Sequence, residues 1–194
     1  MLRFKKSEIV LEKIHSDRRE RGRVMTFLEL AEKRYSCRKF SDKKVSREQV
    51  EQIIKAGIAA PTAVNRQPFK IFCLESEEVK EKLKQVTRFT FGAGTFLLVA
   101  ADPTEGWVRP TDERNFADVD AAIVATHMML AIEDMGLSTT WVGYFDAPLL
   151  KELCPELKDY DLLAIFPVGY AAETAKPSHL HFERKEMKDV VETL

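Results

Sequence analysis

A long apolar segment in the second half of the chain restricts the possible folds more strongly than any other feature. Residues 118–135 have helical spacing and are apolar on nearly every face, and Gly136 is well placed to end the helix. A helix of this kind belongs in the middle of a core or at a subunit interface. Its longest uncharged run, 121–132, is shorter than the ~20 residues that a membrane helix needs. We therefore expect a globular protein built around this helix, with no membrane partner.

Shorter elements are predicted on both sides of this helix. Two capping boxes, Thr26-Phe27-Leu28-Glu29 and Ser46-Arg47-Glu48-Gln49, mark the starts of two helices. Apolar runs of strand length, β-branched or aromatic in part, lie at 69–74, 95–101, 139–145 and 162–170. Further helices are predicted at 77–86, 148–153 and, in the tail, 185–191. Helices alternate with about four strands, so the pattern indicates a mixed α and β class.

Composition and charge narrow the possible functions. The 194 residues have a formal net charge of -1, which argues against a general binder of nucleic acid. The charge is uneven, because residues 1–24 hold eight Lys or Arg against four acids and read as a separate extension. The three cysteines show no CxxC or Cys/His ligand spacing, so neither a metal site nor a disulfide framework is expected. A reducing cytoplasm is the simplest compartment.

The first chemically informative stretch is the arginine segment, Arg34–Phe40. Arg34 and Arg38 stand four residues apart with the Ser36 hydroxyl between them. Guanidinium groups bind phosphate bidentately and stay charged at any relevant pH. The same two arginines could instead form surface ion pairs with acids such as Asp42 or Glu32, and the spacing alone leaves both interpretations open.

The second stretch, Ala60–Phe69, contains the proline loop, Pro61–Pro68. Its prolines stiffen the backbone, and the side-chain amides of Asn65 and Gln67 can each donate and accept hydrogen bonds. A uracil-like ring edge, as in the pyrimidine half of a flavin, requires that mixed pattern. The alternative is a connector between a helix and a strand whose amides satisfy local backbone groups.

A third stretch lies in the predicted strand at 139–145. Gly143 would let the backbone approach a flat ring closely, although a core strand with a glycine bulge explains the pattern equally well. Cys37 and His127 rank lower as reactive groups, since no general base stands near the cysteine in sequence and His127 lies inside the apolar helix.

The order of these motifs resembles the nitroreductase family of FMN-dependent oxidoreductases. The motifs are Arg-x-Ser-x-Arg-x-Phe, then Ala-Pro-Thr-Ala-x-Asn-x-Gln-Pro-Phe after a capped helix, and later Gly-Leu-Ser-Thr-Thr-Trp-Val-Gly. The likeness runs from about Met25 to the C-terminus, which divides the chain into an extension at 1–24 and a nitroreductase-like domain at 25–194. It implies an α+β fold with a central, mostly antiparallel sheet flanked by helices. It also implies an intertwined homodimer with FMN at the interface.

The resemblance also assigns site residues. It implies FMN contacts for Arg34, Tyr35, Ser36, Arg38, Pro61, Thr62, Ala63, Asn65, Gln67, Trp141, Val142, Gly143 and Arg184. Arg38 would lie near the flavin N1 and O2, where negative charge develops on reduction, and the proline loop would reach the flavin of the other subunit. No catalytic side chain is expected, because the flavin carries the chemistry. Phe182 stands where a second basic residue is expected, and Lys176, His179 or His181 could compensate.

The implied activity is hydride transfer from NADH or NADPH, through FMN, to a nitroaromatic, quinone or similar small acceptor. One alternative is a reductive dehalogenase or flavin-fragmenting relative, whose specificity would be set by the loop at 92–116 with Trp107 and Arg109. A second is a non-catalytic flavin-binding protein. A third is an interaction module that uses the basic arm at 1–24.

Overall fold

The structure, a computed structural model, describes residues 25–194. The predicted charged extension at 1–24 lies outside the described residues. The chain divides into two compact units, Met1–Lys33 and Arg34–Leu194.

The described part of the first unit contains helix α1 (Phe27–Lys33). Its predicted capping box is formed. The Thr26 N–H donates to Glu29 Oε2 at 2.8 Å, and the Glu29 N–H donates to Thr26 Oγ1 at 3.2 Å. Two backbone N–H groups that the first turn would leave unpaired are thereby satisfied.

The second unit is organised by a four-stranded antiparallel sheet in the order β1-β2-β4-β3. The strands are β1 (Phe69–Cys73), β2 (Thr95–Ala101), β3 (Ser138–Thr139) and β4 (Asp161–Gly169). All four predicted strands are present, but the predicted extent of β3 was wrong. After Thr139 only Val142 pairs again with β4, because the following Gly143 and Tyr144 are exposed and the chain turns toward the next helix.

Four helices flank this sheet within the described residues: α2 (Arg47–Ile58), α3 (Glu77–Val86), α4 (Ala117–Asp134) and α5 (Ala147–Leu153). The Ser46–Gln49 capping box of α2 is confirmed. The predicted central helix is α4, and Gly136 follows it with a φ of 72°. The helix predicted at 185–191 was wrong, since only a 3-10 turn forms at Met187–Asp189. Its apolar side chains are exposed, so no packing stabilises a longer helix.

The core has two layers, one on each face of the sheet. Helices α2 and α4 cover the first face, where Ile53 and Met128 pack with Leu97. Helices α3 and α5 cover the other face, where Leu83 and Leu150 pack around Leu98 and its neighbours. Successive residues of β2 thus serve opposite layers, as the twofold repeat of a strand requires. Within residues 25–194, no helix combines the length and apolarity needed to cross a membrane.

Candidate functional site

The arginine segment runs beside β3 at the edge of the sheet. Ser36 forms a parallel bridge with Thr139, and the Cys37 N–H donates to the Thr139 carbonyl at 3.0 Å. Thr139 itself is buried, and its Oγ1 donates to the Pro167 carbonyl at 2.7 Å. The backbone of this segment is therefore set by main-chain pairing to a buried strand.

The far end of the segment is held in the same way. The Ser41 N–H donates to the Tyr170 carbonyl at 2.9 Å, and the Ala172 N–H donates to the Lys39 carbonyl at 3.0 Å. The arginine segment is thus fastened at both ends to residues around β3 and β4. Its side chains are consequently available for another role.

Neither arginine of the segment is neutralised by an acid of the second unit. Arg34 is half-buried, Arg38 is exposed, and no carboxylate within residues 34–194 forms an ion pair with either. The alternative ion pair with Asp42 is therefore not formed. The Arg38 Nη1 donates to the Ser36 carbonyl at 3.1 Å, which orients the guanidinium group. This leaves two cations at one edge of the sheet that can meet an anionic ligand.

Tyr35 stands between Arg34 and Arg38 in the sequence, and its ring contacts His181 in the C-terminal segment that follows β4. Its ring meets the His181 ring at 6.4 Å in an edge-on arrangement. Burial, and then the neighbouring Cys37, raise the pKa of the Tyr35 hydroxyl, so it stays protonated at neutral pH. Arg184 is exposed, and among residues 25–194 its guanidinium group donates only to the Glu183 carbonyl, at 2.7 Å. The tail residue that reaches the arginine segment through a ring contact is therefore His181.

The proline loop has an unusual backbone. Val64, Asn65 and Gln67 adopt the left-handed region, with φ of 46°, 57° and 55°. A positive φ is rare for any non-glycine residue and rarest for a β-branched one such as Val64. Thr62 holds the turn from inside, because its Oγ1 accepts from the Gln67 N–H and its carbonyl accepts from the Asn65 N–H, both at 3.0 Å. Strained loops of this kind cluster at ligand-binding sites.

The proline loop is fastened to α4 by a residue that the sequence analysis did not single out. The Ala63 N–H donates to Asp120 Oδ1 at 2.9 Å, and Asp120 is only 2% exposed. The available signal was a second carboxylate in the first turn of α4, beside the apolar run that begins at Ala121. Within residues 34–194, no hydrogen bond or ion pair joins this loop to the arginine segment.

The glycine segment, Trp141–Gly143, lies on the same edge of the sheet as the arginine segment, because it comes just after β3, the strand with which the arginine segment pairs. The Trp141 ring packs edge-on against Phe166 at 5.3 Å. Val142 is buried, and its N–H and carbonyl both pair with Ile165 at 3.0 Å, so it anchors its neighbours. Of the residues that the structure describes, a Cβ added to Gly143 would meet only the Trp141 ring, at 3.9 Å, an ordinary contact. The backbone at Gly143 is therefore open to a ligand.

An aromatic group beyond Gly143 was also missed by the sequence analysis. Tyr144 is 79% exposed, and its carbonyl accepts from the Thr87 Oγ1 at 2.8 Å. Its ring meets Phe89 edge-on at 5.9 Å, and the Arg88 guanidinium lies 5.0 Å from the Phe89 ring centre. The available signal was the aromatic run Thr-Arg-Phe-Thr-Phe before β2.

The loop that was expected to set specificity folds on itself. Val108 pairs with Asn115, the Arg109 side chain is bonded to Asp112, and the Trp107 ring packs on Phe116 at 5.3 Å. The charge of Arg109 is thus balanced by its own loop. Among residues 25–194, no group of His, Cys, Asp or Glu is placed to hold a metal ion.

Comparison with known proteins identifies the family. The model of the nitroreductase family matches residues 31–88 and 86–170. The chain belongs to the nitroreductase family. The predicted family is therefore confirmed, and so is the α+β fold with its antiparallel sheet and flanking helices. Membership places this nitroreductase family protein among the oxidoreductases.

Individual relatives agree with this assignment. A solved nitroreductase family protein from Clostridium difficile 630 is 34% identical, with a TM-score of 0.80 over 88% of this chain and 100% of that chain. A protein from Archaeoglobus fulgidus, provisionally named an NADH dehydrogenase/NAD(P)H nitroreductase, is 26% identical over 175 residues, which cover 78% of this chain and 94% of the relative. A protein from Exiguobacterium sibiricum 255-15, solved in complex with FMN, shares the fold with a TM-score of 0.74 at 20% identity, over 88% of this chain and 98% of that chain.

Proposed function

We propose that this nitroreductase family protein is an FMN-dependent oxidoreductase. It would take hydride from NADH or NADPH and pass it to a nitroaromatic, quinone or similar small acceptor. The observation that carries the proposal is the sheet edge where Arg34 and Arg38, without carboxylate partners in their unit, lie on the same edge as the open backbone at Gly143. The FMN complex of the Exiguobacterium protein supports the choice of cofactor.

The residues present fit FMN in their chemistry. Arg34 would hold the phosphate and ribityl region, with Tyr35 and His181 beside it and Arg184 as an outer candidate, while Ser36 would sit near the pyrimidine edge of the ring. Arg38, oriented by the Ser36 carbonyl, would meet the N1 and O2 side of the ring. When bound, FMN supplies the redox chemistry by accepting hydride and releasing it to the acceptor.

The other proposed contacts come from the proline loop and the glycine segment. Asn65 and Gln67 are exposed and carry the amides that a pyrimidine ring edge requires, and Pro61, Thr62 and Ala63 shape the loop around them. Trp141, Val142 and Gly143 would form the wall of the ring site, with Val142 as its anchor.

We propose a homodimer because the candidate contacts fall on separate parts of the subunit. The arginine and glycine segments share one edge of the sheet, whereas the proline loop is attached to α4. Helix α4 also leaves an apolar surface hollow uncovered, lined by Val119, Ala122, Ile123, Thr126 and His127. A second copy on that face would cover it and would bring its proline loop to the arginine segment of the first subunit. The three free thiols favour the cytoplasm as the compartment.

The acceptor side of the proposed site would be formed by the aromatic group around Tyr144. An exposed ring next to Gly143 offers a planar apolar surface to an aromatic acceptor. Arg88 adds a positive charge beside it. Replacing Tyr144 by alanine would then raise the KM for the acceptor while leaving the rate of flavin reduction by the nicotinamide unchanged.

Anaerobic stopped-flow spectroscopy tests the proposed function. We expect the FMN-loaded protein to lose its flavin absorbance when mixed with NADH or NADPH and to regain it with a nitroaromatic or quinone acceptor. Protein that stays colourless after addition of FMN would overturn the proposal. FMN that binds but is never reduced would instead identify a non-catalytic flavin protein.

A truncation tests the proposed domain boundary. A chain that begins at Met25 is expected to keep FMN binding and the rate of flavin reduction, because every proposed contact lies beyond residue 33. Loss of both activities in a truncated protein that remains folded would assign residues 1–24 to the enzyme.

A further inference from the structure

One buried carboxylate in α4 is not explained by the packing of that helix. Asp120 is 2% exposed and lies two residues after Asp118, which is exposed on the same first turn. Its Oδ1 accepts from the Ala63 N–H at 2.9 Å. Its Oδ2 is buried and has no hydrogen-bond partner among the described residues.

A buried oxygen without a partner is unfavourable for folding. An apolar side chain at this position would avoid that cost and would match the buried neighbours Ala117, Ala121 and Val124. The reason for an aspartate at this position therefore has to be sought in the loop that its hydrogen bond holds. That loop is the proline loop, which lies far away in sequence.

The proline loop needs such a fastening. Its three left-handed residues, Val64, Asn65 and Gln67, keep their conformation only if the surroundings hold it. Thr62 closes the turn internally, and the Asp102 N–H fastens the exit by donating to the Pro68 carbonyl at 3.0 Å. At the entry of the loop, the hydrogen bond to another element is the one that the Ala63 N–H donates to Asp120 in α4.

We propose that Asp120 is a positioning residue of the FMN site, an inference that rests on the proposed function. Asp120 holds the Ala63 N–H and thereby preorganises the loop that carries the Asn65 and Gln67 amides. It acts through the loop and does not itself contact the cofactor. A preorganised loop binds more tightly because less conformational freedom is lost on binding.

Three variants of the full-length protein test this role. Asp120→Ala removes the acceptor, Asp120→Asn keeps a carbonyl oxygen that can take its place, and Ala63→Pro removes the donor while leaving Asp120 intact. Proline is compatible with this position, because Ala63 opens a 3-10 turn and Thr62 before it is extended, with φ of -133° and ψ of 159°. Asp118→Ala is the matched control, an exposed carboxylate in the same turn of α4.

The readouts are the Kd for FMN, from quenching of flavin fluorescence, and the thermal midpoints with and without FMN. We expect Asp120→Ala and Ala63→Pro each to raise the Kd about tenfold, as loss of a hydrogen bond to a charged group implies, and to shrink the FMN-induced rise in midpoint. The double variant, with Asp120→Ala and Ala63→Pro combined, should bind FMN no more weakly than either single variant, because both substitutions remove the same hydrogen bond. Asp120→Asn should stay within about threefold of wild type.

The outcomes separate the two proposals. Unchanged FMN affinity in Asp120→Ala and Ala63→Pro, with wild-type protein binding FMN, would overturn the role of Asp120 alone. A lower midpoint of the FMN-free protein together with an undiminished FMN-induced rise would make Asp120 merely structural and would also overturn it. Wild-type protein that fails to bind FMN would overturn the proposed function and this inference together.

Discussion

The arginine segment and the proline loop are built in opposite ways. The arginine segment is fastened by main-chain hydrogen bonds to Thr139 and Tyr170, and none of its residues has a positive φ. The proline loop contains three left-handed residues and is held by the side chains of Thr62 and Asp120. Side chains of the first region can therefore change without moving its backbone. In the second region, the side chains are themselves the support of the backbone.

The largest effect is expected from Arg34→Ala. Loss of a half-buried cation proposed to bind phosphate bidentately should raise the Kd for FMN about 100-fold, measured by fluorescence quenching. The thermal midpoint of the FMN-free protein should not change, because the backbone of the arginine segment is held elsewhere. Arg47→Ala, which removes an exposed arginine paired with Glu51, is the control. A much lower thermal midpoint in Arg34→Ala would show instead that the Arg34 side chain supports the backbone of the arginine segment.

A smaller effect with a different signature is expected from Arg38→Ala. Its cation is proposed to act where charge develops, so flavin reduction by NADH should slow about tenfold while the Kd for FMN changes less than about threefold. Stopped-flow reduction at saturating FMN measures the first quantity and fluorescence titration the second. Arg38→Lys should recover part of the rate. Equal reduction rates in the variant and wild type would remove Arg38 from its proposed role.

In the proline loop, Thr62→Val should weaken binding by altering the backbone. The variant keeps the shape of the side chain but removes the oxygen that accepts from the Gln67 N–H. We expect the Kd for FMN to rise about fivefold, the value for one neutral hydrogen bond. Limited proteolysis of the FMN-free protein should also cut faster at 62–68. A Kd equal to that of wild type would show that the loop does not depend on Thr62.

The smallest effect is expected from Val64→Gly. The left-handed conformation destabilises the folded state by about 1–2 kcal/mol when the residue is valine, and glycine removes that cost. Glycine also gives the unfolded chain more conformational freedom, which offsets about 0.5–1 kcal/mol of the gain. The free energy of unfolding in urea should therefore rise by about 0.5 kcal/mol. The same substitution at Val45, which has no positive φ, should destabilise the protein. A clear loss of stability in Val64→Gly would indicate that its side chain, 71% exposed, has an unrecognised contact.

Local elements were predictable because their signals are local. The two capping boxes, the strand β2 and the helix α3 stand where the sequence indicates, since side-chain caps and hydrophobic spacing act within a few residues. The short β3 was not predictable, because the β-branched and aromatic pattern continues past Thr139 although only Val142 pairs again with β4 and Tyr144 is exposed. The helix predicted at 185–191 does not form because its apolar side chains are exposed, so no packing stabilises it.

The candidate site was predictable only as a set of separate motifs. The order of those motifs was enough to predict the family, which the match over residues 31–88 and 86–170 confirms. The roles of individual residues remain predictions. The contacts of Thr139, Asp120 and Tyr144 could not be predicted, since each is made with a residue that is distant along the chain.

The sequence by itself determined which chemical groups are available, namely the two arginines, the loop amides and the glycine at 143, because these depend only on residue type and order. The tertiary structure decided which of them share an edge of the sheet. Hydrogen bonds between Cys37 and Thr139, and between Ala63 and Asp120, join residues about 100 and 57 positions apart. No local pattern encodes such pairings, because they form only when the sheet and α4 have packed around the common core.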